Sequence, residues 1–319
     1  MIGLIPLFLA GAYVGWNIGA NDAGNCIGTS VGSGLISYRR AVLLVSVSAV
    51  AGALLQGGSV METIGKGIVT SDLSSLAILA AMISAGLFVT AATLLRLPVS
   101  TSQAIVGGIA GVGFASGAEV DLMKVAQIAE VWIVCPILVG LMAVAIYLGS
   151  IFILRRLREN SLWQRLPSAL LILSACYISF SLGANHVGTA MGPITNLGVQ
   201  PSWLTLLGGL AVAAGAMTFG SRVTQTVGSG ITPLGPVSAY SAQIAAALAV
   251  HFFSIVGIPV STSQAVVGAV VGVGLVHGLR TVKKRRIGGI AIGWVATPTA
   301  AGLFSFCLYR ILTLALGRS

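Results

Sequence analysis

The chain has few charged residues and few aromatic ones. Charged side chains make up 8% of its 319 residues, aromatic side chains make up 7%, and only 7 residues are acidic. Hydrophobic residues reach 56%, there are 42 glycines, and the mean hydropathy is +1.00. A composition so poor in charge excludes a soluble globular domain and is typical of a protein with several membrane-spanning segments.

The motifs of catalysis and metal binding are missing as well. The 4 cysteines lack the spacing of a metal or redox site, and there is no Ser/His/Asp set, HExxH motif or GxxxxGK[ST] loop. We therefore predict that the protein is not an enzyme and needs no cofactor. The formal net charge is +10, but no basic face with interleaved aromatic residues accompanies it, so membrane orientation explains it better than nucleic acid does.

The apolar stretches indicate helices rather than barrel strands. They last roughly 15 to 30 residues, whereas a spanning strand needs only about 9 to 11 alternating ones. We predict an all-α membrane protein with about ten transmembrane helices, embedded in the lipid bilayer. The stretches lie at residues 4–18, 41–57, 76–95, 103–118, 125–154, 167–183, 203–219, 238–256, 264–279 and 287–316.

The basic residues are concentrated in alternate loops. Odd-numbered loops hold 13 of the 17 Lys and Arg, whereas even-numbered loops hold five of the seven acids. By the positive-inside rule, we predict a multi-pass protein of the cell membrane with both termini outside. The basic residues of the odd loops are Arg39, Arg40, Arg96, Arg155, Arg156, Arg158, Arg165, Arg222, Arg280, Lys283, Lys284, Arg285 and Arg286.

One phrase occurs twice. Residues 98–113 read PVSTSQAIVGGIAGVG, and residues 259–274 read PVSTSQAVVGAVVGVG. Proline disfavours helix in its predecessor and Ser and Thr are preferred N-caps, so a helix should start at Ser100/Thr101 and another at Ser261/Thr262. A helix start offers free N–H donors and a partial positive charge. Two such starts brought face to face would make an anion site.

The repeat extends beyond this phrase. GANDAGNCIGTSVG from Gly19 corresponds to GANHVGTAMGPITN from Gly183, and VMETIGKGIV from Val60 corresponds to VTQTVGSGIT from Val223. We predict two repeats, 1–154 and 167–319, joined by a basic cytoplasmic linker at 155–166. Five spans in each repeat would insert the second upside down, the inverted topology of secondary transporters, with discontinuous or re-entrant segments at the site.

Asp22 is the one acid inside a repeated motif near the end of a span, and Asn21 and Asn25 flank it. An ionisable group at such a place is a functional candidate. Its carboxylate could help to hold a hard cation such as Na⁺, or accept a hydrogen bond from a protonated oxyanion. Phosphate keeps an O–H donor near neutral pH and sulfate has none, so Asp22 favours phosphate.

These motifs together resemble the inorganic phosphate transporter (PiT) family over essentially the whole chain. The resemblance implies a symporter that imports inorganic phosphate with Na⁺ or H⁺, built from two inverted repeats and commonly homodimeric. It places around the anion Asp22, Ser100, Thr101, Ser102, Gln103, Ser261, Thr262, Ser263 and Gln264. It places near the cation Asn21, Asp22, Asn25, Asn185, His186, Ser100 and Ser261, and implies no metal other than Na⁺.

The second motif departs from the family pattern. The family's GANDVANA is GANHVGTA here, so His186 replaces an acid and Thr189 replaces an Asn. Losing a carboxylate weakens a cation site, and histidine titrates near neutrality, so we hypothesise coupling to H⁺ rather than Na⁺. STSQ also replaces the family's STTH. Two alternatives stay open: a sulfate permease of the same fold, and a passive anion channel.

Overall fold

The computed structural model describes residues 3–32, 34–97, 99–156, 162–224, 234–278 and 284–316. These residues are helical throughout apart from short connections, with one isolated β-bridge, which confirms the predicted all-α class. A π-helical turn follows α3 at Thr63–Gly67, and a 3₁₀ helix follows α7 at Gly192–Leu197. The α-helices are α1 (Leu4–Gly32), α2 (Tyr38–Gln56), α3 (Gly58–Glu62), α4 (Ser75–Leu94), α5 (Thr101–Ser116), α6 (Leu122–Arg156), α7 (Leu162–Met191), α8 (Pro201–Phe219), α9 (Pro236–Ile255), α10 (Thr262–Val276) and α11 (Lys284–Ala315).

Helix length and polarity separate these helices into two groups. Within the described ranges, 7 helices are long and apolar enough to cross a membrane, namely α2, α4, α6, α7, α8, α9 and α11. Helix α1 has 29 residues but carries a buried polar run. Helices α5 and α10 have only 16 and 15 residues. At a 1.5 Å rise they are about 22 to 24 Å long, shorter than a hydrocarbon core of about 30 Å.

Helices α4 and α5 form a hairpin. Its open end is closed by backbone hydrogen bonds from Thr70 N to Glu119 O (3.0 Å) and from Asp121 N to Ile68 O (2.9 Å). Its tip contains Arg96, which has a positive φ of 59°. We expected the loop with Arg96 to separate two full spans. Val99, three residues on, is instead buried against α1, because a side chain of α1 binds this part of the backbone.

The other elements repeat this arrangement. Helices α9 and α10 pack together as α4 and α5 do, and their tip contains Gly257 with φ 78°. Helix α1 packs on α8 as α7 packs on α2, and α5 packs on α11 as α10 packs on α6. Helix α6 ends at Arg156 and α7 begins at Leu162, so most of the predicted linker is helical, and the remainder, 157–161, lies outside the described residues. Most of the second TIGKGI-like motif, from residue 225 to 232, lies outside them too.

Glycines let these helix pairs approach to backbone contact. A Cβ atom on Gly19 would lie 1.9 Å from the carbonyl oxygen of Val212. A Cβ atom on Gly183, the matching residue of the second motif, would lie 1.9 Å from that of Ala49. Small residues at such crossings let helices pack closely inside a membrane, where little hydrophobic effect drives helix association. The glycine-rich composition therefore serves the packing of α1 and α7 against their neighbours.

We expect Gly107→Ala to lower the free energy of unfolding by about 1 to 3 kcal/mol, as overpacking does. The new Cβ would lie 2.2 Å from the carbonyl oxygen of Pro298 on α11. Gly149→Ala is the matched control, because no other helix in the described part of the chain comes within 4 Å of its Cβ position. Thermal unfolding in detergent measures both, and equal shifts would contradict the close contact of α5 with α11.

Candidate functional site

Helices α5 and α10 begin where the repeated phrase predicts. The Ser100 hydroxyl accepts a hydrogen bond from Gln103 N at 3.2 Å, and the Ser261 hydroxyl accepts one from Gln264 N at 3.2 Å. Both capping residues have extended backbone and are 1% exposed. The predicted N-caps are confirmed, and two helix starts with free N–H donors lie inside the protein.

The two hairpin tips contact each other. Ser102 Oγ donates to the carbonyl oxygen of Val260 at 2.8 Å, and Ser263 Oγ donates to that of Val99 at 3.3 Å. Each bond runs from the first turn of one short helix to the residue that precedes the N-cap of the other. The structure thus brings together two helix starts that lie 161 residues apart in the sequence.

Asn21 holds the first tip. Its amide nitrogen donates to Thr93 Oγ1 (2.8 Å) and to Leu97 O (3.1 Å), and its amide oxygen accepts from Val99 N (3.2 Å). The side chain therefore forms hydrogen bonds with both a carbonyl and an N–H group that have no helical partners because of the break between α4 and α5. Unpaired backbone groups of this kind are costly inside a membrane.

Asn185 holds the second tip in the same way. Its amide nitrogen donates to Ser254 Oγ (3.1 Å) and to Ile258 O (3.3 Å), and its amide oxygen accepts from Val260 N (3.3 Å). Every partner is the residue that matches a partner of Asn21. We call Asn21 and Asn185 the tip latches. Their predicted role as cation ligands stays a prediction, and their observed role is to position both tips.

Asp22 lies beside the latches and is fully buried. Its carboxylate accepts a short hydrogen bond from Thr101 Oγ1 and a long one, 3.4 Å, from Asn25 Nδ2. His186 Nε2, from α7, is 3.6 Å from Asp22 Oδ2 and 3.3 Å from Ser102 Oγ. A carboxylate, an imidazole and two hydroxyls therefore meet where α1, α7 and the first tip converge.

Several buried polar atoms of this cluster have no partner within the described chain. They are 3% exposed or less as residues, and a buried polar atom normally has a hydrogen-bond partner. Three are amide oxygens, which accept, and one is a hydroxyl, which both donates and accepts, so they can serve a ligand with both donors and acceptors. They are Asn25 Oδ1, Gln103 Oε1, Gln264 Oε1 and Thr262 Oγ1.

The difference between Thr101 and Thr262 follows from one substitution. Thr101 donates to Asp22, whereas Thr262 would donate to the matching residue on α7, which is His186. In place of a second carboxylate there is an imidazole, and the Thr262 hydroxyl has no partner within the described residues. The two halves of the site are thus alike in backbone geometry and different in charge.

All the predicted site residues lie in or directly beside this cluster. Thr93 and Ser254, which assist the latches, are not among the residues predicted from the sequence, although they sit at matching positions three residues before the positive-φ residue of each tip. Within the described part of the chain, no three Asp, Glu, His or Cys side chains come together, so hydroxyl and amide oxygens supply most of the polar groups. The predicted site residues are all buried, and their role as ligands stays a prediction; they are Asn21, Asp22, Asn25, Ser100, Thr101, Ser102, Gln103, Asn185, His186, Ser261, Thr262, Ser263 and Gln264.

Comparison with known proteins agrees with the motifs. The model of the phosphate transporter family matches residues 18–165 and, a second time, residues 154–305. The chain belongs to the phosphate transporter family. Members of this family are transporters and permeases rather than enzymes, and the chain is a multi-pass membrane protein.

Individual family members match along the whole chain. A protein of Methanocaldococcus jannaschii, whose provisional name is phosphate permease, is 32% identical over 304 residues, covering 94% of this chain and 95% of its own length. The chloroplastic inorganic phosphate transporter 2-1 of Arabidopsis thaliana is 28% identical and aligns with 97% of this chain and 72% of its own. A solved structure titled the sodium-dependent phosphate transporter superposes with a TM-score of 0.87, at 28% identity, over 98% of this chain and 99% of that chain.

Replacing either latch should loosen its own tip. We expect Asn21→Ala to speed amide hydrogen exchange at Val99 by at least about tenfold and to leave Val260 unchanged, and Asn185→Ala to do the reverse. The reason is that each variant leaves a buried carbonyl and N–H without partners, which costs about 1 to 3 kcal/mol per group. Each variant serves as the control for the other, and faster exchange at both sites in both variants would contradict separate latches.

Proposed function

We propose that this protein is a symporter that imports inorganic phosphate across the cell membrane. One observation carries the proposal: the two helix starts meet beside Asp22, a fully buried carboxylate, at the junction of α1, α7 and both tips. Helix starts bind anions through free N–H groups and the helix dipole. Membership of the phosphate transporter family supports the same cargo.

The carboxylate of Asp22 favours phosphate over sulfate. A buried carboxylate accepts hydrogen bonds and repels an anion that has no proton to donate. Phosphate near neutral pH has such a proton, and sulfate does not. Rejection of sulfate would therefore arise from an unfavourable contact as well as from a missing hydrogen bond.

We also propose that the fold consists of two inverted repeats, of which α4–α5 and α9–α10 are re-entrant hairpins. The exchanged packing partners of the two halves support this, as does the double match of the family model. Helices α1 and α7 run in opposite directions, since Gly11 lies next to Met191 while Cys26 lies next to Ile178.

The distribution of Lys and Arg supports termini on the outside. The family resemblance supports a homodimer.

The coupling ion is H⁺ or Na⁺, and His186 is the residue that favours H⁺. It occupies the place of a second acid and lies 3.6 Å from Asp22 Oδ2, so a proton on this pair would offset the charge of the anion. A single carboxylate with amide and hydroxyl oxygens is a weaker site for Na⁺ than two carboxylates would be. Asn21, Asn25, Asn185, Ser100 and Ser261 would supply those oxygens.

Asp22→Asn should reduce uptake of labelled phosphate into proteoliposomes by at least about tenfold, because it removes the carboxylate that contacts Thr101 and His186. Lys66→Ala, in the π-helical turn outside the cluster, should change uptake little. Sulfate and arsenate serve as competitors. Equal, mild effects of both substitutions would contradict the proposed site. Preferential uptake of sulfate would show that sulfate, and not phosphate, is the transported anion.

The coupling ion is tested by imposing gradients. We expect phosphate to accumulate against its gradient in Na⁺-free buffer when the outside is acidic, and accumulation to cease when the proton gradient is dissipated. His186→Asp, which restores the acid of the family pattern, should increase the dependence on Na⁺. Uptake that ignores external pH but requires Na⁺ would contradict H⁺ coupling, and uptake that never exceeds equilibrium would indicate a channel.

A further inference from the structure

A second buried polar cluster lies apart from the proposed phosphate site. Gln243 of α9, which is 1% exposed, donates from Nε2 to Cys26 O (2.8 Å) and Ser30 Oγ (2.9 Å) of α1. Its Oε1 accepts from Ser174 Oγ of α7 at 2.8 Å. One amide thus joins the arm of the second hairpin to both helices that carry Asp22 and His186. We call these four residues the Gln243 cluster.

The cluster lies on one side of the proposed site. Cys26 and Ser30 follow Asp22 by about 6 and 12 Å along α1, at a rise of 1.5 Å per residue. Because α7 runs in the opposite direction, Ser174, which precedes His186, lies on that same side. This is the side toward which α1 ends, and the next helix begins there with Arg39 and Arg40.

The matching positions of the other half are apolar. By the repeat offsets, Gln243 corresponds to Met82 and Ser174 to Ala10. On the other helix, Cys26 corresponds to Ala190 and Ser30 to Ile194. All four counterparts are 5% exposed or less. A cavity of about 240 Å³ lies on that opposite side, and its lining includes Ile78, Ala81 and Pro193 together with the polar residues Ser71 and Asp72. The residues next to Met82 and Ile194 therefore already line an opening, and the residues of the Gln243 cluster do not.

Two further buried hydroxyls add to the difference in polarity between the two sides of the site. Thr29 and Ser46 are buried at 3% and 4% exposure, and their hydroxyl oxygens have no hydrogen-bond partner within the described chain. Their counterparts by position are Pro193 and Gly209, which have no side-chain polar group. Thr29 follows Cys26 on α1, and Ser46 lies in the half of α2 nearest Arg39 and Arg40. Buried hydroxyls without partners are unfavourable while the protein is closed and become favourable once water or a polar solute reaches them.

We propose that Gln243 is the gate residue through which the site opens toward the Arg39 side, an inference that rests on the proposed transport function. Opening this side breaks the hydrogen bonds of Gln243 and replaces them with bonds to water, at a modest net cost that holds the gate closed at rest but still lets it open. Opening the opposite side exposes Met82 and Ile194 to water, which is unfavourable in proportion to the apolar area. The two sides of the site are therefore closed differently, one by hydrogen bonds and the other by apolar side chains, although their backbone arrangement is the same.

Cys26 provides a native reporter for this gate. It is buried in the closed structure and contributes its carbonyl to the cluster. In a variant in which Cys135, Cys176 and Cys307 are replaced by Ala, a hydrophilic, membrane-impermeant thiol reagent should modify Cys26 from one face only. That face is identified in a separate variant by Ser37→Cys, because Ser37 is exposed next to Arg39.

Two substitutions of Gln243 should move the labelling rate in opposite directions. Gln243→Met, which copies Met82, should slow labelling by about tenfold, since opening would then expose an apolar side chain. Gln243→Ala should speed labelling by about tenfold, since it removes the hydrogen bonds that join α9 to α1 and α7 and thereby close the gate. Ser241→Ala is the matched control, because Ser241 lies on the same helix and its hydroxyl donates to Val237 O, within that helix.

The labelling results distinguish a gating role of Gln243 from a purely structural role, and they do not depend on which anion is transported. Slower labelling with Met, faster labelling with Ala and unchanged labelling with Ser241→Ala would support the gate. Both Gln243 variants moving labelling in the same direction would overturn it, as would labelling of Cys26 from the face opposite Ser37. Thermal unfolding of each variant shows whether it folds, and a variant that unfolds is replaced by Ser174→Ala, which should also speed labelling. The assay uses no phosphate, so a failure of the proposed cargo in the uptake experiment leaves its result intact.

Discussion

The architecture depends on satisfying backbone groups where helices are interrupted inside a membrane. Each hairpin tip leaves carbonyl and N–H groups without helical partners, and hydrocarbon offers them none. One asparagine amide, which has both donors and an acceptor, is enough to bind a carbonyl on one side of the break and an N–H on the other. Asn21 and Asn185 do this for the two tips. Because both latches stand on helices that cross, the two tips are held against each other and the helix starts converge.

The same scaffold carries different chemistry in its two halves. The backbone partners of the two latches match residue for residue, and the contacts of Gly19 and Gly183 match as well. Charge does not match, because Asp22 faces His186, and polarity along the two approaches does not match, because Gln243 corresponds to Met82. A symmetric frame allows a site to be reached from either side in turn. Divergence of a few side chains then gives each side its own chemistry.

The site is compact because its residues are buried and the two tips bond directly to each other. All members of the cluster are nearly inaccessible, and the second residue of each short helix bonds to the backbone preceding the other. A ligand between the tips would have to replace some of these bonds with its own. An oxyanion offers several acceptor oxygens for the N–H groups and hydroxyls, and a protonated one also offers a donor for Asp22. Binding and separation of the tips would then be linked through the same few hydrogen bonds.

Local chemistry accounts for what the sequence alone determined. The helix starts at Ser100 and Ser261 were predictable, because capping involves only neighbours within three residues, and the buried polar cluster was predictable because its members sit in repeated motifs. The latches, the short length of α5 and α10 as hairpin arms, and the Gln243 cluster came only from the tertiary structure. Gln243 meets residues 26, 30 and 174, and nothing in its own neighbourhood of the sequence distinguishes it from a packing residue. Contacts between distant segments depend on how helices cross, and that geometry is set by the packing of the whole chain.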